Sequence, residues 1–283
     1  MNRRWFAFIG LTVAAAAAVY QPLWELLSEA GRSDYYSHIL LIPIVSAYFL
    51  YTDRKKIFVD LAPNALLGGA IMVAGVLLFA LARMLRIPLG QNDWASLTTF
   101  SAIVFWWGSF LMVFGRHAFR AGLFPLLFML FFLPVPWFLL QRVIHILQAG
   151  STEMVNLLFW LTDTPYHRNG FIFYLPGVTI EVAQECSGIR SSMALFITGI
   201  VAGHLFLDSS WKKLVLFAVV WPITIFKNAI RIVSLTFLAI HVDMGFLTGG
   251  FLHQSGGFLF YIPALCLLGL VVWLLRKQGQ KKR

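Results

Sequence analysis

The stretch that decides the fold is Asn64 to Ala82, NALLGGAIMVAGVLLFALA, which contains no charged residue. Its length matches the roughly 20 apolar residues that an α-helix needs to cross the hydrocarbon core of a bilayer. Further apolar runs lie near residues 5–24, 38–52, 95–115, 121–138, 188–207, 213–238 and 257–275. The sequence therefore predicts an all-α polytopic membrane protein with about eight transmembrane helices.

The composition favours the same class of protein. Of the 283 residues, 59% are hydrophobic and 12% are charged, whereas charged residues make up about a quarter of an ordinary soluble domain. The formal net charge of +10 would suggest nucleic-acid binding in a soluble chain. Here the basic residues form short clusters between apolar runs, as membrane orientation signals do. We therefore expect no nucleic-acid partner and predict one integral membrane domain over residues 1–283.

The charges at the ends of the apolar runs predict the orientation of the chain. If the spans alternate, most basic residues fall on one side with few acidic ones, and the positive-inside rule makes that side cytoplasmic. The clusters are Arg3 and Arg4, Arg54 to Lys56, Arg116 and Arg120, Lys212 and Lys213, and the tail from Arg276 to Arg283. Both termini are then cytoplasmic, and the first run is a retained helix rather than a cleaved signal peptide.

The stretch from about Trp137 to Thr162 is apolar enough to be mistaken for another span, but counting it as one would break the charge pattern. Polar residues spread among its apolar ones favour a helix or helical hairpin that lies in the membrane interface on the outer side. The segment Pro134-Val135-Pro136 would turn the chain into it. Next, Gly170 to Val182 contains two β-rich runs around Pro176-Gly177 and predicts a small outer β-hairpin.

A polar segment from Glu181 to Ser192, EVAQECSGIRSS, follows this hairpin. Cys186 lies where an apolar helix begins, with the first turn after Ser187-Gly188, and a helix N-terminus lowers the pKa of a thiol. Cys186 is therefore the candidate nucleophile. Glu181 and Glu185 would oppose this by raising the pKa if they were close and ionised. Strand alternation that points the glutamates away, or an arginine paired with Glu185, would remove the conflict.

Lys227, Asn228 and Arg231 interrupt another apolar run, where an unpaired charge costs at least ~2.5 kcal/mol near the membrane centre. Lys227 and Arg231 share one helix face, and Arg231 lies about 27 Å along the helix from Lys213, near the outer interface. His253 precedes the last inward helix at a similar level. There Arg231 would stabilise an oxyanion, and His253 would act as base and then as acid.

Other residues are candidates for supporting roles. Arg190, four residues after Cys186 and predicted one turn deeper on the same helix face, is a rival or additional oxyanion donor. His38, at the outer end of the second apolar run, could border the same pocket. Cys266 lies within an apolar run and is predicted to serve packing, so we expect no disulfide, metal site or cofactor.

These residues resemble the motifs of the exosortases and archaeosortases, a family of polytopic membrane enzymes. Glu185 to Ser191 (ECSGIRS) looks like the family's cysteine motif, and Asn228 to Ile232 (NAIRI) looks like its arginine motif. His253 to Phe258 (HQSGGF) looks like its histidine motif, and the three follow in the family's order. Tyr36-Ser37-His38 is similar to its early Tyr-x-His element.

The resemblance implies a membrane cysteine endopeptidase or transpeptidase. Cys186 would be the nucleophile, Arg231 the oxyanion or substrate-orienting cation, and His253 the base. The implied partners are client proteins anchored by a C-terminal sorting signal, which is a motif such as Pro-Glu-Pro, a transmembrane helix and a basic tail. Cleavage at the outer face of a bacterial inner membrane would form a thioester, and the client would pass to an acceptor such as a glycan or lipid. The resemblance also implies a link to exopolysaccharide loci.

Two other functions stay open from the sequence. Lys227, Arg190 and Arg231 would suit a phosphate-binding patch in a transporter or flippase for an anionic lipid or polysaccharide precursor. That protein would keep its function after Cys186→Ala. The other possible function is that of a non-catalytic assembly subunit. Cys186 of such a subunit would react with an iodoacetamide-type probe no faster than Cys266.

Overall fold

Each predicted apolar run overlaps a helix in the computed structural model, which describes residues 2–31, 36, 38–86, 88–184, 188–248 and 251–280. Contacts divide the chain into two units, Met1–Leu140 and Gln141–Arg283. Whether they form one functional domain, as the sequence predicts, stays a prediction.

The first unit is built around a close pair of helices. Its helices are α1 (Asn2–Ala18), α2 (Tyr20–Ala30), α3 (Leu41–Thr52), α4 (Arg54–Ile57), α5 (Ala65–Met84), α6 (Gln91–Ala121) and α7 (Leu123–Phe128), with a 3-10 turn at Met129–Phe132. A Cβ at Gly68 of α5 would lie 2.5 Å from the backbone of Met112 in α6, and one at Gly75 would lie 2.7 Å from that of Phe105. Small residues let helix backbones approach in this way, as they do in membrane helix pairs.

Polar side chains near the start of α6 hold the predicted proline bend. The Asn92 amide donates to the carbonyl of Val135 at 2.9 Å, and the Asp93 carboxylate accepts from the amide of Trp137 at 2.6 Å. The helical segments on the two sides of the bend meet at 87°. The turn predicted at Pro134 to Pro136 is therefore confirmed.

The second unit combines helices with a small sheet. Its elements are α8 (Trp137–Leu161, whose first residues belong to the first unit), β1 (His167–Asn169), β2 (Ile172–Leu175), β3 (Val178–Glu181), α9 (Ile189–Phe206), α10 (Ser210–His241), α11 (Gly245–Thr248) and α12 (Phe251–Gln280). The sheet is antiparallel in the order β1-β2-β3, with Leu175 opposite Val178 across the Pro176-Gly177 turn. The predicted hairpin is confirmed, and β1 is a strand that the sequence reading did not predict.

Three helices of this unit share one apolar core. Leu195 of α9, Val220 of α10 and Leu268 of α12 belong to a single buried cluster. Cys266 is exposed on α12, because the helix turns Ala264 and Leu268 toward that core instead. The prediction that Cys266 serves packing is therefore wrong.

The all-α polytopic class is confirmed, while the predicted number of eight spans is not. Among the described residues, five helical segments are long and apolar enough to cross a membrane, namely Ala65–Met84, Gln91–Ala121, Ile189–Phe206, Ser210–His241 and Leu259–Gln278. Two bent pairs, one of them α1 with α2 at 80°, would raise the number to seven. Helix α3 has only 12 residues. The count of eight and the interfacial position of α8 stay predictions.

Candidate functional site

The sheet of the second unit packs its apolar face against α8 and α10. Strand alternation buries Phe173, Ile180 and Val182 in a cluster with Phe159 of α8. Glu181 lies between two of these buried residues and is exposed, because neighbouring side chains of a strand point to opposite faces. The predicted alternation is thus confirmed for Glu181, whereas Glu185 and Cys186 lie outside the described residues.

Gln148 of α8 holds the chain where it leaves the sheet. Its side-chain amide donates to the carbonyl of Val182 at 2.7 Å, and the Val182 amide donates to the carbonyl of Phe171 at 2.9 Å. Gln148 is only 5% exposed. Both backbone polar groups of the buried Val182 are therefore satisfied, as burial requires.

Gly188 precedes α9 and adopts the left-handed conformation, with φ 69° and ψ 26°. The hydroxyls of Ser191 and Ser192 donate to its carbonyl at 3.0 and 2.7 Å. A Cβ at this position would lie 2.8 Å from Oδ1 of Asn228 and 3.4 Å from Nζ of Lys227. Both the backbone angle and the close approach therefore favour glycine here.

Asn228 links α10 to α8. It is fully buried, and its side-chain amide donates to the hydroxyl of Ser151 at 3.0 Å. Ser151 follows Gln148 by three residues, so both lie on one face of α8. One face of α8 therefore contacts both the end of β3 and the part of α10 that packs on Gly188.

Lys227 is a buried cation beside the start of α9. Its side chain is 6% exposed, and its ammonium group donates a hydrogen bond to the hydroxyl of Ser191. In the described part of the chain it forms no ion pair with a carboxylate. A buried ammonium group without a counter-charge is costly. The position is therefore suited to a nearby anion.

The two candidate arginines occupy different surroundings. Arg231 lies one helical turn after Lys227 and is half-buried, whereas Arg190 is exposed in the first turn of α9. Helix α9 begins at Ile189, and Cys186 lies outside the described residues. The prediction that Arg190 shares a helix face with Cys186 therefore stays a prediction.

Arg168 is another cation of this unit, and it forms an ion pair with Glu153. Arg168 of β1 donates two hydrogen bonds to the Glu153 carboxylate of α8, at 2.7 and 3.1 Å. Hydrogen bonding to Glu153 raises the pKa of the Arg168 guanidinium above its ordinary value. Arg168 is thus paired with a carboxylate of α8, whereas Lys227 has no such partner among the described residues.

Helix α12, which contains His253, contacts α9, and the level predicted for His253 beside Cys186 stays a prediction. The hydroxyls of Thr198 in α9 and Tyr261 in α12 are 3.1 Å apart. Helices α9 and α12 both run opposite to α10, because short connections join each of them to it. Gly188 and His253 therefore precede this contact by about 15 and 12 Å along their helices. The side chain of His253 lies outside the described residues.

The residues of the Tyr-x-His element belong to the first unit. The Tyr36 hydroxyl donates to the side chain of Asn92 at 2.6 Å. His38 is buried, and its Nε2 has no hydrogen-bond partner among the described residues. The predicted place of His38 beside Cys186 stays a prediction.

Gln148, Ser151 and Ser191 are contacts of this site that the sequence reading did not single out. The first two carried one weak signal, a polar pair three residues apart in an apolar stretch, whereas Ser191 stood out only as part of the polar segment. Within the described ranges, no group of three or more His, Cys, Asp or Glu side chains could hold a metal ion.

The family model of the transmembrane exosortase matches residues 24–270, which is most of the chain. No curated protein and no solved structure matches it significantly. The match includes all four motif regions described above.

Proposed function

The chain belongs to the transmembrane exosortase family, and from this we propose that it is a membrane cysteine endopeptidase or transpeptidase acting on anchored client proteins. Its substrate would be the C-terminal sorting signal of an exported protein, cut at the outer face of a bacterial inner membrane. The acceptor would be water, a glycan or a lipid.

In the proposed reaction, His253 takes the proton of the Cys186 thiol, and the thiolate attacks the scissile carbonyl carbon. Arg231 stabilises the oxyanion of the tetrahedral intermediate. The intermediate collapses to a thioester as the carbon–nitrogen bond breaks, and the leaving amine takes the proton from His253. Water or an acceptor hydroxyl or amine then attacks the thioester and releases Cys186.

The single observation that carries this proposal is the buried cation at the start of α9. Lys227 contacts Ser191 and lies beside Gly188, which is two residues after Cys186. A nearby cation and a helix N-terminus are the two features that lower the pKa of a catalytic thiol. Glu181 is exposed, and solvent weakens the effect of an exposed carboxylate on a neighbouring group, which supports the proposal.

Co-expression with a tagged client tests the proposal. The client would have a sorting motif, a transmembrane helix and a basic tail, and its size would be followed in cells containing the wild type, Cys186→Ala or Cys266→Ala. We expect loss of processing in Cys186→Ala only. A hydroxylamine-sensitive client–enzyme adduct should form in the wild type. Equal processing by the wild type and Cys186→Ala would refute the cysteine mechanism.

The buried ammonium group of Lys227, which forms no ion pair with a carboxylate of the described residues, also favours a second candidate function, transport of an anionic lipid or polysaccharide precursor. Adding a strain with Arg231→Ala to the co-expression experiment separates the two functions. A transporter would keep its function in Cys186→Ala and lose it in Arg231→Ala. The proposed enzyme would lose client processing in both.

A further inference from the structure

Two buried contacts hold the ends of the segment that contains Cys186. Before the segment, Gln148 donates to the carbonyl of Val182 at 2.7 Å. After it, the backbone of Gly188 lies against Asn228 and Lys227. Five residues separate Val182 from Gly188, so the positions of these two ends limit where the intervening chain can go.

The two contacts belong to one network. Gln148 and Ser151 lie three residues apart on α8, and Ser151 accepts the hydrogen bond from Asn228 at 3.0 Å. Gln148, Ser151 and Asn228 are all buried. Buried polar groups with satisfied hydrogen bonds make a local structure rigid and specific. Helix α8 is therefore bonded directly to Val182 and, through Ser151, to the Asn228 side chain that lies against Gly188.

We infer that Gln148 and Ser151 of α8 are positioning residues for the Cys186 thiol. This inference rests on the proposed function in one respect, the role of Cys186 as nucleophile. Reactive groups must be held close to their productive geometry, and small misplacements cost large factors in rate. The hydrogen bonds of Gln148 and Ser151 would supply this restraint without either side chain touching the substrate.

The network also explains why α8 has polar residues on a buried face. An apolar side chain at residue 148 would leave the buried Val182 carbonyl without its donor, which is unfavourable. That carbonyl would move toward another donor, and the chain after it would shift. Thr152 is a natural comparison, because its buried hydroxyl donates to the Gln148 carbonyl within α8 at 2.8 Å.

Thiol alkylation tests this inference in the full-length, detergent-purified protein. Cys266→Ala provides the background, since it leaves Cys186 as the only thiol of the chain. In it, Gln148→Met removes the donor and keeps a similar volume, and Thr152→Val is the matched control. The second-order rate constant for reaction with iodoacetamide is measured from about pH 5.5 to 9.5. This range includes both a moderately lowered thiol pKa and the ordinary value near 8.5.

We expect Gln148→Met to lower the rate at pH 7 at least about threefold and to move the midpoint of the profile toward the ordinary thiol value near 8.5. Thr152→Val should keep the wild-type profile. Client processing should fall in Gln148→Met and persist in Thr152→Val. A variant that only destabilised the fold would lower the melting temperature and leave the profile of the folded fraction unchanged, which would contradict the inference.

Ser151→Ala is the second variant, and it carries the test if Gln148→Met does not fold. It removes the acceptor of Asn228 and should shift the Cys186 profile in the same direction. If Gln148→Met and Ser151→Ala, or whichever of them folds, kept the wild-type pH profile of alkylation, the inference would be overturned. The proposed function fails separately, through client processing by Cys186→Ala, and that result would leave the alkylation test of α8 valid.

Discussion

At the scale of single residues, Lys227 is the described cation that contacts Ser191 and lies beside Gly188, two residues after the proposed nucleophile. A cation favours the thiolate over the thiol, so its removal should raise the pKa of Cys186. In the Cys266→Ala background, we expect Lys227→Met to move the midpoint of the alkylation profile upward by about one unit, a roughly tenfold loss of thiolate at neutral pH. Lys213→Met, near the start of the same helix, is the control. An unchanged midpoint in folded Lys227→Met would show that another group lowers the pKa of Cys186.

Gly188 allows a second prediction at this scale. Alanine there must adopt φ 69°, which costs about 1–2 kcal/mol, and its Cβ would also lie 2.8 Å from Asn228 Oδ1. Gly170→Ala is a matched control, because Gly170 has φ 59° and nothing within 4 Å of its Cβ. We expect both variants to have a lower melting temperature than the wild type. Only Gly188→Ala should lose client processing. Equal processing would mean that the contact with Asn228 is dispensable.

At the scale of elements, the apolar runs of the chain predicted that the helices exist. They predicted less well where each helix begins, ends or bends. The hairpin followed from two β-rich runs and a Pro-Gly turn. Strand β1 did not, because His167, Arg168 and Asn169 have no apolar alternation. It forms through pairing with β2 and through the bond of Arg168 to Glu153, a long-range contact that no local pattern contains.

The pairing of α5 with α6 gives a prediction for these elements. Gly68→Ala would place a Cβ 2.5 Å from the Met112 backbone, and overpacking of this kind costs about 1–3 kcal/mol. The adjacent Gly69→Ala has nothing within 4 Å of its Cβ and serves as the control. Thermal unfolding in detergent should show a lower melting temperature for Gly68→Ala alone. Similar melting temperatures for the two variants would mean that α5 and α6 can separate without cost.

At the scale of the whole molecule, the sequence suggested candidate chemical groups more readily than the contacts that would support them. Cys186, Arg231 and His253 stand out because polar groups are rare in apolar runs. Gln148 and Ser151 do not, since polar residues are spread through the whole of the stretch that contains them. Their importance depends on Val182 and Asn228, which are 34 and 77 residues away along the chain. Such partners become visible only when the elements are packed.

The orientation of the whole chain gives the last prediction. The positive-inside rule puts the basic residues of α4 in the cytoplasm and the start of α9 on the outer side. In spheroplasts, a membrane-impermeant maleimide should therefore label Cys186 in the Cys266→Ala protein. Lys55→Cys, an exposed position of α4 in a chain without other thiols, should be labelled only after the membrane is permeabilised. Labelling of Cys186 only after permeabilisation would put the nucleophile inside the cell, where it could not cleave an exported client at the outer face.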